Sequence, residues 1–376
     1  MTNNKIIEKL FVLCFIFILF FFMIFTLLSN KKISLTERRT LKTFPSFSIS
    51  SVLKKSYYDD LTSAFSDQLM LRNYLVKGYF LFQFQRYYGD VVKGKNNQLY
   101  SSVESTPKEN YYNKLKDTIS LVNNESKKSS AKFIFLSIPR KDAYMRRDLP
   151  NNYTSSINIY KKQVMTTKNT LDKDIIFIDA LEVFEKSNIY NCYYSNDHHI
   201  TPRCAYSLYS EINKYTKVNS YNLDDMFTIN KTYVNGAYNR QLGQTVKAPL
   251  EDLYLTPKKD IKYKRYEDEK PSKKKIYGSG NSYEDAYMEG DMAFTRVETF
   301  KKTKNIMFVG SSYTNILEAL SIPSYNRMIS IDYRHNKSGN SIDYYVKKYN
   351  IDYVVFIPSQ SNNAYSIEKI RLHLGK

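Results

Sequence analysis

Apolar and polar residues follow one another in blocks along the chain, and the first long block is apolar. Residues 10–28 form an uncharged stretch of 19 residues that is rich in Leu, Phe and Ile. A helix of this length spans the hydrocarbon core of a bilayer. We interpret the stretch as an uncleaved anchor, because it is long for a signal peptide and residues 29–32 offer no small-x-small cleavage site. A cleaved signal peptide is the alternative interpretation.

The pattern after the anchor predicts a tether followed by one folded domain. We divide the chain into a short N-terminal tail (1–9), a transmembrane anchor (10–29), a polar tether with scattered Pro and Ser (30–56) and a folded domain (57–376). Within residues 57–88, apolar residues recur at helical spacing. One or two helices are therefore expected to form an N-terminal extension of the domain.

Five short apolar runs in the remaining sequence predict buried strands, and helical patterns separate several of them. The predicted strands are residues 132–138, 174–179, 305–309, 327–331 and 352–357. The predicted helices are residues 111–123, 157–171, 205–215 and 341–349, and a turn at 94–98 predicts a short hairpin. Strands that alternate with helices indicate an α/β fold, with a mainly parallel sheet and helices on both faces. In such sheets, ligands bind beyond the carboxyl ends of the strands.

The chain is strongly basic, with a formal net charge of +19 from 56 Lys and Arg against 37 Asp and Glu. Such an excess favours anionic surroundings, among them lipid headgroups, an acidic wall polymer or nucleic acid. No nucleic-acid-binding signature accompanies the charge, so nucleic acid is not expected as a partner. Richness in Lys, Tyr and Asn is also what an A/T-biased genome produces, and this explanation stays open.

The charges that flank the anchor bear on its orientation. Lys5 and Lys9 precede the apolar stretch, and Lys31, Lys32, Arg38 and Arg39 follow it. A strict count of positive residues would place the folded domain in the cytoplasm. This orientation competes with the outward-facing one that the family resemblance described below implies.

Asp197, His198 and His199 form the first group of residues that could carry chemistry. Histidine suits the role of a general base because its unperturbed pKa is near neutrality. In an extended or turn segment, residues two apart point the same way, so Asp197 and His199 are expected to share one face while His198 points elsewhere. A surface turn is the alternative interpretation.

Two cysteines, Cys192 and Cys204, flank this Asp-His-His segment. A disulfide between them and a pair of free thiols are both compatible with the sequence. A metal site built from both cysteines together with His198 and His199 fits no zinc-binding spacing. No metal and no other cofactor is therefore expected.

The second group is the turn Gly310-Ser311-Ser312-Tyr313, between the apolar run 306–309 and a predicted helix at 313–320. The Ser312 hydroxyl would lie where a parallel sheet places its ligands, and backbone N–H groups at the helix start could hold an oxyanion. Gly310, Ser311 and Tyr313 would support this turn. With Asp197 and His199, Ser312 would complete a nucleophile, a base and an orienting acid. Ordinary turn formation and helix capping would explain the same residues.

Six segments in order resemble the DHHW family of extracytoplasmic proteins, which are relatives of the AlgX/AlgJ-type polysaccharide O-acetyltransferases in the SGNH-hydrolase superfamily. They are residues 65–72, 93–100, 138–141, 194–201, 309–313 and 331–334, and they span roughly residues 60 to 360. The resemblance implies an SGNH-hydrolase-like, flavodoxin-like α/β fold. It also implies that Asp197, His199 and Ser312 act together, in a chain order reversed from that of ordinary SGNH esterases.

Two positions depart from the family pattern. Ile200 stands where the Asp-His-His-Trp segment has tryptophan, and Ser311 stands where an aspartate precedes the nucleophile. The first change alters an apolar wall, and the second removes an acceptor that would help to hold the serine turn. These departures motivate a second hypothesis, in which the domain is a catalytically impaired glycan-binding or scaffold subunit of a polysaccharide modification or export complex.

The leading prediction is a membrane-anchored, outward-facing O-acyltransferase or esterase that acts on a cell-envelope polysaccharide through an acyl-enzyme. The resemblance implies that the acyl group is acetyl and that a multi-pass membrane acyltransferase supplies it. Arg334 and His198 are candidate substrate-binding residues. For Arg334, an ion pair with a neighbouring carboxylate is the alternative.

Overall fold

The structure is a computed structural model that describes residues 2–34, 39–86, 90–102 and 109–358. The chain divides into two compact units. Unit 1 comprises Met1–Gly89 and Asn239–Lys247, and unit 2 comprises Asp90–Tyr238 and Ala248–Lys376.

The elements of both units are numbered in chain order. The α-helices are α1 (Thr2–Leu27), α2 (Ile49–Val52), α3 (Lys55–Gln68), α4 (Arg72–Arg86), α5 (Glu109–Lys128), α6 (Lys141–Tyr144), α7 (Ile157–Thr170), α8 (Ala180–Ser187), α9 (Pro202–Thr216), α10 (Leu223–Met226), α11 (Ala237–Gln241), α12 (Tyr283–Ala286), α13 (Asn315–Ser321) and α14 (Ile342–Tyr349). The β-strands are β1 (Ile33–Ser34), β2 (Arg39–Thr40), β3 (Val91–Lys93), β4 (Leu99–Ser101), β5 (Lys132–Ser137), β6 (Ile176–Asp179), β7 (Phe227–Tyr233), β8 (Leu250–Pro257), β9 (Lys264–Glu267), β10 (Lys270–Pro271), β11 (Phe294–Glu298), β12 (Asn305–Gly310), β13 (Arg327–Asp332) and β14 (Tyr353–Phe356).

Unit 1 contains the apolar N-terminal helix. Among the residues that the structure describes, Lys5–Leu27 of α1 is the one stretch long and apolar enough to cross a membrane, by length and composition. An N-terminal signal sequence meets the same two criteria. The one or two helices predicted within residues 57–88 are present as α3 and α4.

The stretch predicted as a tether is hydrogen-bonded to α3. The Gln68 amide accepts from the backbone N–H of Lys31 and donates to the carbonyl oxygens of Lys31 and Lys42. The Asp67 carboxylate accepts from the Arg39 guanidinium and from the backbone N–H of Lys42. Two polar side chains at the end of α3 therefore fix part of residues 30–56.

Unit 2 is built on an eight-stranded mixed sheet of order β10-β9-β11-β13-β12-β14-β5-β6. The five strands from β13 to β6 are parallel, and they are the five that the apolar runs predict. Strands β11, β9 and β10 add an antiparallel edge that the sequence pattern did not predict. The prediction of an α/β fold with a mainly parallel sheet is confirmed.

Alternate residues of the central strands point to two separate apolar cores. On one face, Phe308 of β12 and Val355 of β14 pack with residues of α9 and α13. On the other face, Val309 and Phe356 pack with residues of α5 and α14. Helices on both faces bury the sheet, which explains why the central strands are continuous apolar runs.

The helix predicted at residues 313–320 begins later than expected. A 3₁₀ turn occupies Ser312–Thr314, and α13 begins at Asn315. The tighter turn forms because the backbone N–H of Thr314 donates to the Ser311 carbonyl three residues back. All residues of α13 are buried. The hairpin predicted around 94–98 is present as β3 and β4.

Candidate functional site

The candidate site lies at the carboxyl edge of the parallel strands. Strand β12 ends at Gly310, which is in register with Asp332 at the end of β13. Ser312 follows two residues later, at the edge where α/β sheets bind their ligands.

The loop that carries Asp197 and His199 is closed at its base by a disulfide and by a β-bridge. A disulfide joins Cys192 to Cys204, whose Cα atoms are 5.2 Å apart. An isolated antiparallel bridge pairs Tyr193 with Ile200. Because both cysteines are oxidised, they cannot supply the thiolates that a Cys-His metal site would need.

Asp197, His199 and Ser312 form a continuous hydrogen-bonded chain. The Nδ1 atom of His199 lies 2.7 Å from Asp197 Oδ1, and its Nε2 atom lies 2.9 Å from Ser312 Oγ. All three residues are buried. Since a carboxylate only accepts, the neutral imidazole carries its proton on Nδ1 and presents the Nε2 lone pair to the serine hydroxyl. This arrangement can remove a proton from Ser312.

The Asp197 carboxylate accepts two further backbone hydrogen bonds. The N–H of His199 lies 2.9 Å from Oδ1, and the N–H of Ala237 lies 2.6 Å from Oδ2. Burial alone would raise the pKa of Asp197, but electrostatic attraction to the His199 and His198 rings and the hydrogen bonds from the His199 ring and the Ala237 N–H hold it well below its usual value. The close approach requires Gly236, where a Cβ atom would lie 2.2 Å from the Asn196 carbonyl oxygen.

A buried lysine fixes the loop just before Asp197. Lys141 donates from Nζ to the carbonyl oxygens of Leu99 at 2.8 Å, Tyr194 at 2.7 Å and Ser195 at 2.6 Å. Three acceptors need three N–H donors, which only the ammonium form offers. Burial lowers the pKa of Lys141 to about 7, although nearby Glu251 and Asp197 oppose this effect.

Glu251 of β8 holds the same loop from another direction. Its carboxylate accepts from the backbone N–H of Ser195 and from Ser195 Oγ, both at 2.8 Å. Burial raises the pKa of Glu251, and the two bonds from Ser195 together with Lys141 act against that rise. Lys141 therefore bonds to the backbone carbonyl of Ser195, and Glu251 bonds to the backbone N–H of the same residue.

Aromatic rings pack around the two histidines. The Tyr283 ring stacks flat on His199, with ring centroids 3.8 Å apart and an interplanar angle of 3°. Its hydroxyl oxygen accepts from the backbone N–H of Ile316 in α13 at 3.2 Å. Tyr313 donates from its hydroxyl to the His198 carbonyl at 3.1 Å. Tyr283 thus contacts both the imidazole and the helix that follows Ser312.

His198 does not point away from Asp197 as completely as the sequence pattern predicts. Its Nδ1 atom lies 3.5 Å from Asp197 Oδ1, and its side chain is partly exposed. The ring also lies near Tyr238 and Tyr313. His199 is nevertheless the histidine whose second nitrogen contacts Ser312.

The serine turn is packed too tightly for a side chain at position 310. A Cβ atom on Gly310 would lie 2.4 Å from Thr314 Cγ2 and 3.0 Å from the Ile357 carbonyl oxygen. Thr314 donates from both its backbone N–H and its hydroxyl toward the Ser311 carbonyl, each at 2.9 Å. The backbone of Ser311 is therefore held by Thr314, two residues beyond the candidate nucleophile.

Arg334 is engaged by two carboxylates. One of its terminal nitrogens lies 2.5 Å from Asp332 Oδ2 and 2.5 Å from Asp291 Oδ2. Burial alone would lower the pKa of Arg334, but the two carboxylates raise it overall. The Arg334 guanidinium therefore forms internal ion pairs with Asp332 and Asp291. A contact between Arg334 and a substrate stays a prediction.

Two groups of side chains in the described ranges bring carboxylate and imidazole atoms together closely enough to hold a metal ion. One is Asp197 with His198 and His199, and the other is Asp291 with Asp332 and His335. In the first group His199 uses both ring nitrogens in the hydrogen-bonded chain. In the second, both carboxylates bind the Arg334 cation.

Several residues that shape the site were not identified from the sequence. Lys141 lies in the family-like segment 138–141, yet nothing local indicates that it reaches the Asp-His-His loop. Glu251, Ala237 and Tyr283 stand in segments without any chemical pattern. Their roles depend on tertiary contacts alone.

The fold and the geometry define an α/β protein with a serine, histidine and aspartate joined at the carboxyl edge of its sheet. A scan against protein-family models and a search of curated proteins found no match. Solved structures are similar. A DHHW family protein from Eubacterium siraeum has a TM-score of 0.61 and 20% identity, over 76% of this chain and 95% of that one.

PatB1 from Bacillus cereus is also similar. Its structure with a sulfonyl adduct has a TM-score of 0.58 and 18% identity, over 72% of this chain and 95% of that one. A second structure of PatB1 has a TM-score of 0.56 and 19% identity, over 72% of this chain and 96% of that one. The resemblance to the DHHW family is thus confirmed at the level of the fold.

Proposed function

We propose that this protein is a serine-dependent O-acyltransferase or esterase. The observation that carries the proposal is the chain of hydrogen bonds from Asp197 through His199 to Ser312, with heavy-atom distances of 2.7 and 2.9 Å. These distances lie within the range that proton transfer between a base and a nucleophile requires.

The reaction follows from the position of each atom. Ser312 Oγ attacks the acyl carbon while His199 Nε2 takes its proton, and the ionised Asp197 stabilises the imidazolium that forms. Backbone N–H groups of the turn at Ser312 would hold the oxyanion. When the tetrahedral adduct collapses, the leaving alkoxide takes the proton from His199. The acyl-enzyme is then resolved by a sugar hydroxyl or by water, which His199 deprotonates in turn.

A cell-envelope polysaccharide is the acceptor that we favour, with acetyl as the acyl group. The family resemblance of the sequence supports this choice, as does the excess of positive charge, which suits an anionic polymer. The apolar helix α1 would anchor the chain with the folded domain outside the cell. A multi-pass membrane acyltransferase would supply the acyl donor.

Replacement of the candidate nucleophile tests the proposal. In detergent-solubilised full-length protein, Ser312→Ala should abolish hydrolysis of p-nitrophenyl acetate and labelling by an arylsulfonyl fluoride. Ser321→Ala is the matched control, because Ser321 is buried in α13 and its hydroxyl bonds to the Leu317 carbonyl of the same helix. Undiminished turnover in Ser312→Ala would exclude the mechanism. Glycan binding by a wild-type protein that is never acylated or labelled would instead favour the glycan-binding or scaffold subunit.

The outward orientation has a separate test. On intact cells, an added protease should cut the folded domain if that domain faces outward. Protection of the domain until the membrane is permeabilised would place it in the cytoplasm, as the count of flanking positive charges indicates.

A further inference from the structure

A buried glutamate lies beside the serine turn, outside the hydrogen-bonded chain of the candidate site. Glu318 is on α13, in the turn of helix that follows Thr314, and it is 2% exposed. Its Oε1 atom is hydrogen-bonded to Thr314 Oγ1 and lies 2.5 Å from Ser330 Oγ of β13. The glutamate therefore connects the serine turn to the neighbouring parallel strand.

The count of hydrogens distinguishes the two protonation states of Glu318. Thr314 has one hydroxyl hydrogen, yet its oxygen is within hydrogen-bonding distance of both the Ser311 carbonyl and Glu318 Oε1. If Glu318 is ionised, that hydrogen can serve only one of the two acceptors. If Glu318 is protonated, its own O–H donates to Thr314, and the threonine hydroxyl is then free to donate to Ser311. The Ser330 hydroxyl donates to Glu318 in both states.

The surroundings of Glu318 favour the neutral acid. Burial raises its pKa from the ordinary value of 4.5 to about 7, although the bonds from Ser330 and Thr314 and the charge of Arg265 oppose the rise. The Asp291 carboxylate raises it further. Tyr283 also interacts with Glu318 electrostatically, and burial raises the pKa of Tyr283, so that it stays uncharged.

We propose that Glu318 is a positioning residue which, as the neutral acid, orders the Ser312 turn through Thr314. The relay runs from the Glu318 O–H to Thr314 Oγ1 and from the Thr314 hydroxyl to the Ser311 carbonyl. Ionisation of Glu318 turns the threonine hydroxyl toward the carboxylate and removes one of the two bonds that Thr314 makes to Ser311. Ser312 is then less well ordered for attack. The role of the turn in acyl transfer rests on the function proposed above, whereas the relay itself does not.

Glu318→Gln is the informative variant, because its amide mimics the neutral acid. Both hydroxyls contact Oε1, so an amide nitrogen in that position donates one N–H to Thr314 and the other to Ser330. In wild-type protein, kcat for p-nitrophenyl acetate should fall as the pH rises through about 7. Glu318→Gln should keep the low-pH kcat and lose this decline. Glu318→Ala should also lose this decline, because no carboxylate remains to compete for the Thr314 hydroxyl hydrogen. A pH profile of Glu318→Gln identical to that of the wild type would overturn the proposal, as would a folded but inactive Glu318→Gln.

Thermal unfolding gives a readout that does not depend on catalysis. Because the folded-state pKa of Glu318 is above its unfolded value, the native state holds a proton that the unfolded chain releases between pH 4.5 and about 7. The Tm of the wild type should therefore fall across this window relative to that of Glu318→Gln. If the Tm difference is present but no ester is turned over, Glu318 is a neutral acid in the folded protein, as the relay requires, and the proposed enzyme activity fails. If the Tm of both proteins follows pH in parallel, the relay is wrong.

Discussion

The loop that carries Asp197 and His199 contains little regular backbone structure, whereas Ser312 directly follows a central strand of the sheet. The loop is held by a disulfide at its base, by the Lys141 ammonium and by the Glu251 carboxylate. The serine turn is held by strand β12 and by its own threonine, with Glu318 behind it. One half of the site thus depends on side chains that are distant in sequence, and the other half depends mainly on local backbone structure.

The two supports also respond oppositely to pH. The pKa of Lys141 is lowered to about 7 in the folded state, so above that pH the unfolded chain binds more protons than the native state. The free energy of unfolding therefore increases as the pH rises. The pKa of Glu318 is raised to about 7, so its contribution is largest in acid and is lost as the pH rises. The loop and the turn should therefore be distinguishable by variants that remove each buried group.

The largest effect is expected from removal of the loop support at Lys141. Lys141→Met keeps an unbranched side chain that is one atom shorter and loses three hydrogen bonds to buried carbonyl oxygens. We expect the free energy of unfolding to fall by roughly 3 kcal/mol, at about 1 kcal/mol for each bond lost. Because the loop positions His199, kcat should fall as well. Urea denaturation followed by circular dichroism measures the first effect, and ester hydrolysis measures the second.

An exposed lysine provides the control for this variant. Lys214 on α9 pairs with Glu211 at the surface, and Lys214→Met should change the free energy of unfolding by no more than about 0.5 kcal/mol. If Lys141→Met were as mild as Lys214→Met, the loop would not depend on the buried ammonium.

The disulfide at the base of the loop should contribute somewhat less. The double variant Cys192→Ser/Cys204→Ser opens a link between residues separated by 12 positions. We expect a loss of about 2–3 kcal/mol of unfolding free energy, mainly because the unfolded chain is no longer constrained. The kcat of the folded variant should stay close to that of the wild type, since Lys141 and Glu251 still hold Ser195. A large loss of kcat with little loss of stability would mean that the disulfide, rather than Lys141, positions His199.

The same contrast explains what could be predicted from the sequence. The central strands are continuous apolar runs because helices cover both faces of the sheet, so local composition was enough to predict them and the position of Ser312 after β12. The antiparallel edge formed by β9, β10 and β11 was missed because these strands contain charged and partly exposed residues and are not continuous apolar runs. The start of α13 was misplaced because the backbone N–H of Thr314 donates to the Ser311 carbonyl and tightens the turn before the helix.

The residues that hold the loop were beyond the reach of any local pattern. Lys141 lies 54 positions from Ser195, and Glu251 lies 56 positions from it. A buried lysine whose partners are backbone carbonyls leaves no complementary charge in the sequence to search for. At Ser311, by contrast, the family resemblance predicts the loss of an acceptor that would help to hold the serine turn. Thr314 bonds to the Ser311 backbone, so the turn is held from a position that the family pattern does not mark.

Tyr283 offers the finest test of the comparison, because it contacts both halves of the site. Its ring lies flat on His199, and its hydroxyl accepts from the N–H of Ile316 in α13. Tyr283→Phe keeps the stacked ring and leaves that helix N–H without its acceptor, so unfolding should become easier by about 1 kcal/mol with kcat nearly unchanged. Tyr283→Leu also removes the aromatic contact, worth about 0.5–1.5 kcal/mol, and should lower kcat by freeing the imidazole. If Tyr283→Phe lowered kcat as much as Tyr283→Leu, kcat would depend on the hydroxyl contact to α13, on the serine side of the site, and not on the ring contact with His199. The loop and the turn would then act as one coupled unit, rather than as two separately supported halves.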